Sequence, residues 1–266
     1  MNIASNGIRI HVEEQGLGEL SLVFLHYWGG SSRTWRHVTT ALAPSFRTVA
    51  VDHRGWGQSD APMSGYGLDD LAADALGVIE ALNLKSYVLV GHSMGGKVAQ
   101  LLASRQPAGL AGLVLVAPSP PSPMVMPVEA RERMAHAYSS RQAVEMTLDH
   151  VLTARALSAE DREQVIADSL SGSPQAKAAW PQHASQEDIT AQVTAIRVPT
   201  LVIAGEDDRV DPPAVLREEL MSRIGQAELH VLPGVGHLSP LEAAADLTEL
   251  IRDFAMLAQP RQISSN

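Results

Sequence analysis

Val88–Gln100, which reads Val-Leu-Val-Gly-His-Ser-Met-Gly-Gly-Lys-Val-Ala-Gln, is the stretch that decides the fold. The apolar, β-branched run Tyr87–Val90 reads as a buried strand. Val98, Leu101 and Leu102 then carry helical spacing up to Pro107, where a helix cannot easily continue. A chain passing from strand to helix within Gly91-His92-Ser93-Met94-Gly95 must strain its backbone at Ser93. Glycines two before and two after remove the Cβ atoms that would clash there. The turn lifts the Ser93 hydroxyl clear of its neighbours. It also sets the Met94 amide at a helix start, where N–H groups and the helix dipole favour an oxyanion. Alone, Gly-x-Ser-x-Gly is a weak signal, because a glycine-rich turn with an incidental serine matches it equally well. Context has to decide.

Working outward, the 266 residues suffice for one large α/β domain, and the hydrophobic content of 45% is that of an ordinary globular protein. The formal charge of −10, from 30 acidic against 20 basic residues without a basic run, argues against nucleic acid or an anionic membrane as a partner. The chain has no cysteine, which excludes disulfides, thiolate metal sites and a cysteine nucleophile. The N-terminus lacks a signal-peptide core, and no apolar run approaches membrane-spanning length. A cytoplasmic location is the resulting expectation.

Before the Ser93 stretch, Asn6-Gly7 between Ile3 and Ile8–Val12 predicts a hairpin. Ser21–Leu25 and Phe46–Val51 read as strands, and Trp35, Val38 and Leu42 mark one helix face. Leu68, Leu71, Ala75, Ile79 and Leu82 mark another. Leu113–Val116, Pro199–Ala204 and Glu228–Leu232 are the later strands. This alternation predicts a mostly parallel, eight-stranded sheet with helices on both faces. It is interrupted at Ala117–Met126, which is crowded with prolines, and the chain from there to about Arg197 reads as helical. Helices are expected over Val128–Tyr138, over Ala143–Thr153 and from Ser158 with Asp161. Asp211 with Pro212 reads as the start of a further helix, and Ser239, Pro240 and Glu242 read as N-cap, first turn and capping box of the last. The final few residues are polar.

Taken together, these motifs resemble the α/β-hydrolase superfamily, in its serine esterase and cofactor-free haloperoxidase-like branch. Gly-His-Ser-Met-Gly-Gly is similar to the family's nucleophile elbow, and His26-Tyr27-Trp28-Gly29-Gly30 to its oxyanion loop. Asp52-His53-Arg54-Gly55-Trp56-Gly57-Gln58-Ser59-Asp60 is similar to its Asp-x-Arg-Gly-x-Gly-x-Ser turn, and Gly205-Glu206-Asp207-Asp208 and Gly234-Val235-Gly236-His237 to its acid and histidine loops. The resemblance implies Ser93 as nucleophile, His237 as base, and Asp208 as the acid that orients it, with Asp207 the adjacent alternative. It implies the amides of Met94 and Trp28 as oxyanion donors. Among the ten histidines, His92 reads as tied up in the elbow, His230 as a strand residue and His26 as structural. Asp52, Arg54, Gly55 and Gly57 read as a structural turn. Tyr27 stands where the family usually has glycine, so either the backbone is less extended there or the ring reaches the pocket mouth.

The expected organisation is a core of residues 1–117 and 198–266 with a helical lid, 118–197, over Ser93. Met124, Met126, Met134, Met146 and Trp180 would line an adaptable apolar pocket or merely pack the lid onto the core. Tyr27, Val210 and Leu238 are expected on the same wall. Neither a metal nor a cofactor is expected. The expected activity is hydrolysis of small or medium carboxylic esters through an acyl-enzyme. Perhydrolysis, lactone hydrolysis and carbon–carbon bond hydrolysis share that machinery, and some members of the fold serve as small-molecule receptors. A carbon–carbon hydrolase would want a cation for a substrate carboxylate, and Arg131, Arg133, Arg141 and Arg155 are the candidates in the lid. Oligomeric state is not legible.

Overall fold

A computed structural model describes residues 1–259 of the chain; the polar last few residues lie outside the described ones. Eight strands are present among them: β1 (Asn2–Ser5), β2 (Ile8–Gln15), β3 (Leu20–Leu25), β4 (Arg47–Val51), β5 (Ser86–His92), β6 (Leu110–Val116), β7 (Thr200–Gly205) and β8 (Ala227–Leu232). They form one sheet in the order β1-β2-β4-β3-β5-β6-β7-β8. The first two pairings are antiparallel and the remaining five are parallel. The β1–β2 hairpin turns at Asn6 and Gly7, both at positive φ (46° and 79°), which is the demand of a two-residue primed turn.

Helices α1 (Arg36–Leu42), α2 (Leu68–Ala81) and α3 (Met94–Ser104) alternate with these strands. Five more, α4 (Val128–Ala135), α5 (Arg141–Thr147), α6 (Ala159–Ser171), α7 (Pro174–Gln182) and α8 (Thr190–Val193), occupy the chain between β6 and β7. After β7 come α9 (Pro213–Leu216), α10 (Ser239–Glu242) and α11 (Ala244–Ala258). Side chains alternate across the sheet, as pleating requires. Val23, Leu25, Leu89, Leu113 and Val202 join α2 and α3 in one core layer. Leu22, Phe24, Val88, Val90 and Val114 join Val38 of α1 and Leu247 and Ile251 of α11 in the other. The central strands are buried on both faces, which explains their unbroken apolar runs.

Three helix boundaries differ from the sequence expectation. The helix expected over Val128–Tyr138 stops at Ala135, which frees Tyr138 to pack against the Trp28 ring at 4.3 Å. Asp211 does not cap a helix: Pro212 holds the N-cap position of α9, and the Asp211 carboxyl is buried. Ser239 and Glu242 form no capping box, because Leu238 is the N-cap of α10 and Ala243 (φ −143°, ψ 44°) separates that short helix from α11. Glu242 is used elsewhere. Its carboxylate accepts from the amides of Gly236, Ala154 and Arg155 at 2.8–3.0 Å, stapling the histidine loop to the β6–β7 segment.

Asp52 and Arg54 are structural, as expected. The Asp52 carboxylate accepts from the Ser32 amide (2.6 Å) and the Gln58 amide (2.9 Å). A Cβ on Gly57, whose φ is +54°, would lie 2.1 Å from that carboxylate. Arg54 forms a two-pronged pair with buried Asp74, at 2.6 Å on both contacts. Among the described residues no helix is long and apolar enough to cross a membrane.

Candidate active site

The carboxyl ends of β3, β5, β7 and β8 lie along one edge of the sheet, and the loops leaving them bring the sequence-distant residues together. Ser93 follows β5 directly, with φ 53° and ψ −116°, a conformation costly for any residue with a Cβ, at roughly 1–3 kcal/mol. Three hydrogen bonds hold it there. Its amide donates to Val116 O (3.1 Å), and its carbonyl accepts from the amides of Lys97 (3.0 Å) and Ser119 (3.1 Å). The flanking glycines are required by close approach: a Cβ on Gly91 would meet Gly95 O at 2.4 Å, and one on Gly95 would meet Leu25 O at 2.5 Å and His26 O at 2.6 Å. Gly95→Ala is therefore expected to destabilise the fold by about 3 kcal/mol, the upper end for overpacking, read from the midpoint of urea unfolding.

His237 sits on the loop after β8 and Asp208 on the loop after β7. His237 Nδ1 lies 2.8 Å from Asp208 Oδ2, both side chains being almost wholly buried. The other Asp208 oxygen accepts from the Val210 amide (2.7 Å) and the Asp211 amide (3.1 Å). Burial alone would raise the Asp208 carboxyl, but the His237 charge and these hydrogen bonds outweigh it and hold it below the usual carboxylate range. For His237, burial works to lower the imidazole. The charge and hydrogen bond of Asp208 are the largest opposing effects; they prevail and leave it raised. Asp207, the sequence alternative, is exposed, and its amide donates to Val235 O (2.9 Å), tying the acid loop to the histidine loop.

The other histidines of this edge are scaffolding. His92 Nε2 donates to the His237 carbonyl (2.8 Å), and burial, followed by the nearby His237 charge, pushes its imidazole down to about 3, so it stays neutral. His26 Nδ1 donates to Tyr27 O (2.7 Å), and its Nε2 accepts from the His53 amide (3.0 Å). Burial holds it neutral too, at about 4. The same Tyr27 carbonyl accepts from the Gly30 amide (3.0 Å). Across a trans peptide the Trp28 N–H therefore points to the side opposite these donors. The Trp28 carbonyl accepts from the Tyr138 hydroxyl (2.8 Å), so the loop after β3 is braced by the β6–β7 segment.

Ser93, His237, Tyr27 and Trp28 share a cavity of about 770 Å³ with residues of the β6–β7 segment. Met124, Met126, Met134, Met146, Trp180 and Val210 all reach its wall. Leu238 does not. It is fully buried in a small cluster with Tyr27, Leu148, Leu152, Val165 and Leu241, its backbone amide bonded to Leu152 O (3.0 Å). The Tyr27 ring is likewise turned inward rather than to the pocket mouth. It packs beside His92 at 5.2 Å, and burial pushes its unpartnered hydroxyl up. Of the four arginines considered from sequence, Arg133 alone lines the cavity. Arg131 binds Gln186, Arg141 binds Glu145 and Glu163, and Arg155 binds the carbonyls of Pro233 and Gly234.

Sequence reasoning missed Lys97, Ser119, Tyr138, Arg209 and Asp211 on this wall. One signal was available for Lys97: it falls in the otherwise small and apolar stretch that opens α3. Among the described residues no group of three or more His, Asp or Glu side chains is placed to hold a metal ion.

The family model of the alpha/beta hydrolase fold matches residues 21–244. The chain is 31% identical over 250 residues to the non-heme haloperoxidase of Rhodococcus erythropolis, covering 88% of this chain and 91% of that one. It is 30% identical to a 2-hydroxy-6-oxononadienedioate/2-hydroxy-6-oxononatrienedioate hydrolase of Paraburkholderia phymatum, over 96% of this chain and 94% of the relative. Among solved structures, a thermophilic esterase from Thermogutta terrifontis superposes with a TM-score of 0.82 at 28% identity, covering 98% of this chain and 99% of that one.

Proposed function

The chain belongs to the α/β-hydrolase family, in its non-heme haloperoxidase-like branch, and from that premise we propose that it is a serine hydrolase of small or medium carboxylic esters. The observation that carries the reading is the 2.8 Å His237–Asp208 pair opening on the same cavity as a strained Ser93. A serine hydroxyl becomes a nucleophile only when a base takes its proton. With Asp208 accepting from Nδ1–H, the His237 lone pair lies on Nε2, free to do so.

In this mechanism Ser93 Oγ attacks the ester carbonyl while His237 takes the proton. The carbonyl oxygen becomes an oxyanion, which the amides of Trp28 and Met94 receive; Met94 is the first residue of α3, and its N–H has no intrahelical acceptor. His237 then returns the proton to the leaving alcohol. Water, deprotonated by His237, releases the acid and restores Ser93. The segment 118–197 acts as a lid: its methionines and Trp180 shape the wall for an acyl chain, and their flexible side chains suit chains of differing length.

Steady-state hydrolysis of p-nitrophenyl esters from acetyl to decanoyl tests the reading, with lactones and diketones alongside. Repeated turnover is expected on esters of short to medium chain, with the preferred length gauging the cavity. Turnover confined to lactones, diketones or peracid formation would replace the ester assignment. A single slow turnover followed by tight retention would favour a receptor.

A further inference from the structure

Lys97, Ser119 and Asp211 are among the buried polar side chains on the cavity wall that have no part in that mechanism. Lys97 is 1% exposed, and its ammonium donates to Ser122 O (2.9 Å) and Ser185 O (3.4 Å), leaving one of its three N–H groups without an acceptor. Ser119 is 2% exposed, and its hydroxyl has no partner among the described residues. Asp211 is 3% exposed, and its Oδ2 has none either. Buried polar atoms are ordinarily satisfied, and leaving them unmade is expensive. All three residues line the cavity that holds Ser93.

Their backbone connections place them beside the reacting groups. The Lys97 and Ser119 amides both donate to the Ser93 carbonyl, and the Asp211 amide donates to Asp208 Oδ1. The three side chains also share a chemical sense. Burial, opposed by the His237 and Lys97 charges and aided by the like charge of Asp208, drives the Asp211 carboxyl up to about 8, so near neutral pH it holds a proton that it can donate. Burial brings the Lys97 ammonium down to about 8 against the carboxylates of Glu187 and Asp188, so it too keeps its proton at pH 7. The Glu219 carboxylate, on the same wall, has its charge paired with Arg223 at 3.3 Å, although its Oε2 accepts no hydrogen bond. The three residues on this wall thus carry an ammonium N–H, a hydroxyl and a carboxylic acid O–H, donors that suit a ligand group that only accepts. A carboxylate is such a group, with several lone pairs to offer.

We infer that Lys97, Ser119 and Asp211 form a subsite for a carboxylate on the acyl part of the substrate, so that the preferred esters are hemiesters of short dicarboxylic acids. The inference rests on the serine-hydrolase reading and names its substrate class. An apolar acyl chain of the same length leaves the three donors unpaired, which is the arrangement by which a polar site rejects an apolar analogue.

The test compares p-nitrophenyl hemiglutarate with p-nitrophenyl valerate at pH 7. A kcat/KM preference of about tenfold or more for the hemiester is expected. Ser119→Ala, Asp211→Ala and Lys97→Met should each pull that ratio towards one; as a ratio within one preparation it is insensitive to partial loss of folded protein, and the first two changes spare the buried lysine. Equal rates, or a preference for the ammonium-bearing 5-aminopentanoyl ester, would overturn the subsite. Calorimetric titration of glutarate and valerate into Ser93→Ala protein separates the two claims. Glutarate binding without Ser93-dependent hydrolysis would leave the subsite standing and sink the ester mechanism; valerate hydrolysis with neither preference nor glutarate binding would do the reverse.

Discussion

Ser93→Ala is expected to lower kcat for ester hydrolysis by roughly ten-thousand- to million-fold, the range over which a lost nucleophile leaves only binding and oxyanion stabilisation. The substitution keeps the Cβ, so the strain at φ 53° is unchanged, as are the backbone bonds to Val116, Lys97 and Ser119. Thermal unfolding should therefore coincide with that of the parent protein. The assay must resolve residual turnover from the spontaneous hydrolysis of the ester. A variant that kept a tenth of the parental kcat while folding normally would remove Ser93 from the mechanism. The strain itself argues for function: a conformation this costly persists only where the surroundings impose it, and here Gly91 and Gly95 exist to let backbone atoms close around that one residue.

The elbow was legible because its signal is local. A buried strand, a glycine-flanked turn and a helix all lie within one short window, and sterics within that window dictate the outcome. The sheet was legible for a related reason, since the two-faced burial of β3, β5 and β6 writes itself as unbroken apolar runs. Asp211 was misread because Asp-Pro is a sound local signal for a helix start, while the residue's environment is set by tertiary neighbours. Asp208, Lys97 and His237 all act on it, and the chain spends the carboxyl on the cavity instead of the cap. Ser239 and Glu242 fail in the same way. The spacing of a capping box is present, but Glu242 gains three amide donors by bridging the histidine loop and the β6–β7 segment. Leu238 sits next to His237 in sequence, yet consecutive residues of a tight loop point in different directions, and its side chain turns into the core. Tyr27 does not bring its ring to the pocket mouth, because Gly30 makes room for it inside: a Cβ there would lie 2.6 Å from the ring.

Asp208→Asn is expected to cost about ten-thousand-fold in kcat, with the fold intact, because the amide reverses one hydrogen bond. In the proposed mechanism Asp208 accepts from Nδ1–H, which leaves Nε2 of His237 to take the Ser93 proton. An amide that turns its NH2 towards Nδ1 selects the other tautomer, in which Nε2 carries the proton and cannot take a second. The pH profile supplies an independent readout. Catalysis needs neutral His237, so kcat/KM rises as pH climbs through the imidazole pKa, and in the parent that limb should lie above the ordinary histidine value of about 6.5. Burial works to lower the imidazole, and Asp208 supplies the largest opposing effects. Removing its charge should move the limb to lower pH. Asp211 does not take over, because its Oδ2 makes no hydrogen bond and it is Asp208 that meets Nδ1 of His237. Asp207 cannot either, since it is exposed and its amide is bonded to Val235 on the far side of the loop contact. Full activity in the variant with an unmoved acid limb would mean that His237 is oriented by some other group. A lowered limb with a collapsed kcat would assign both the tautomer and the raised pKa to Asp208.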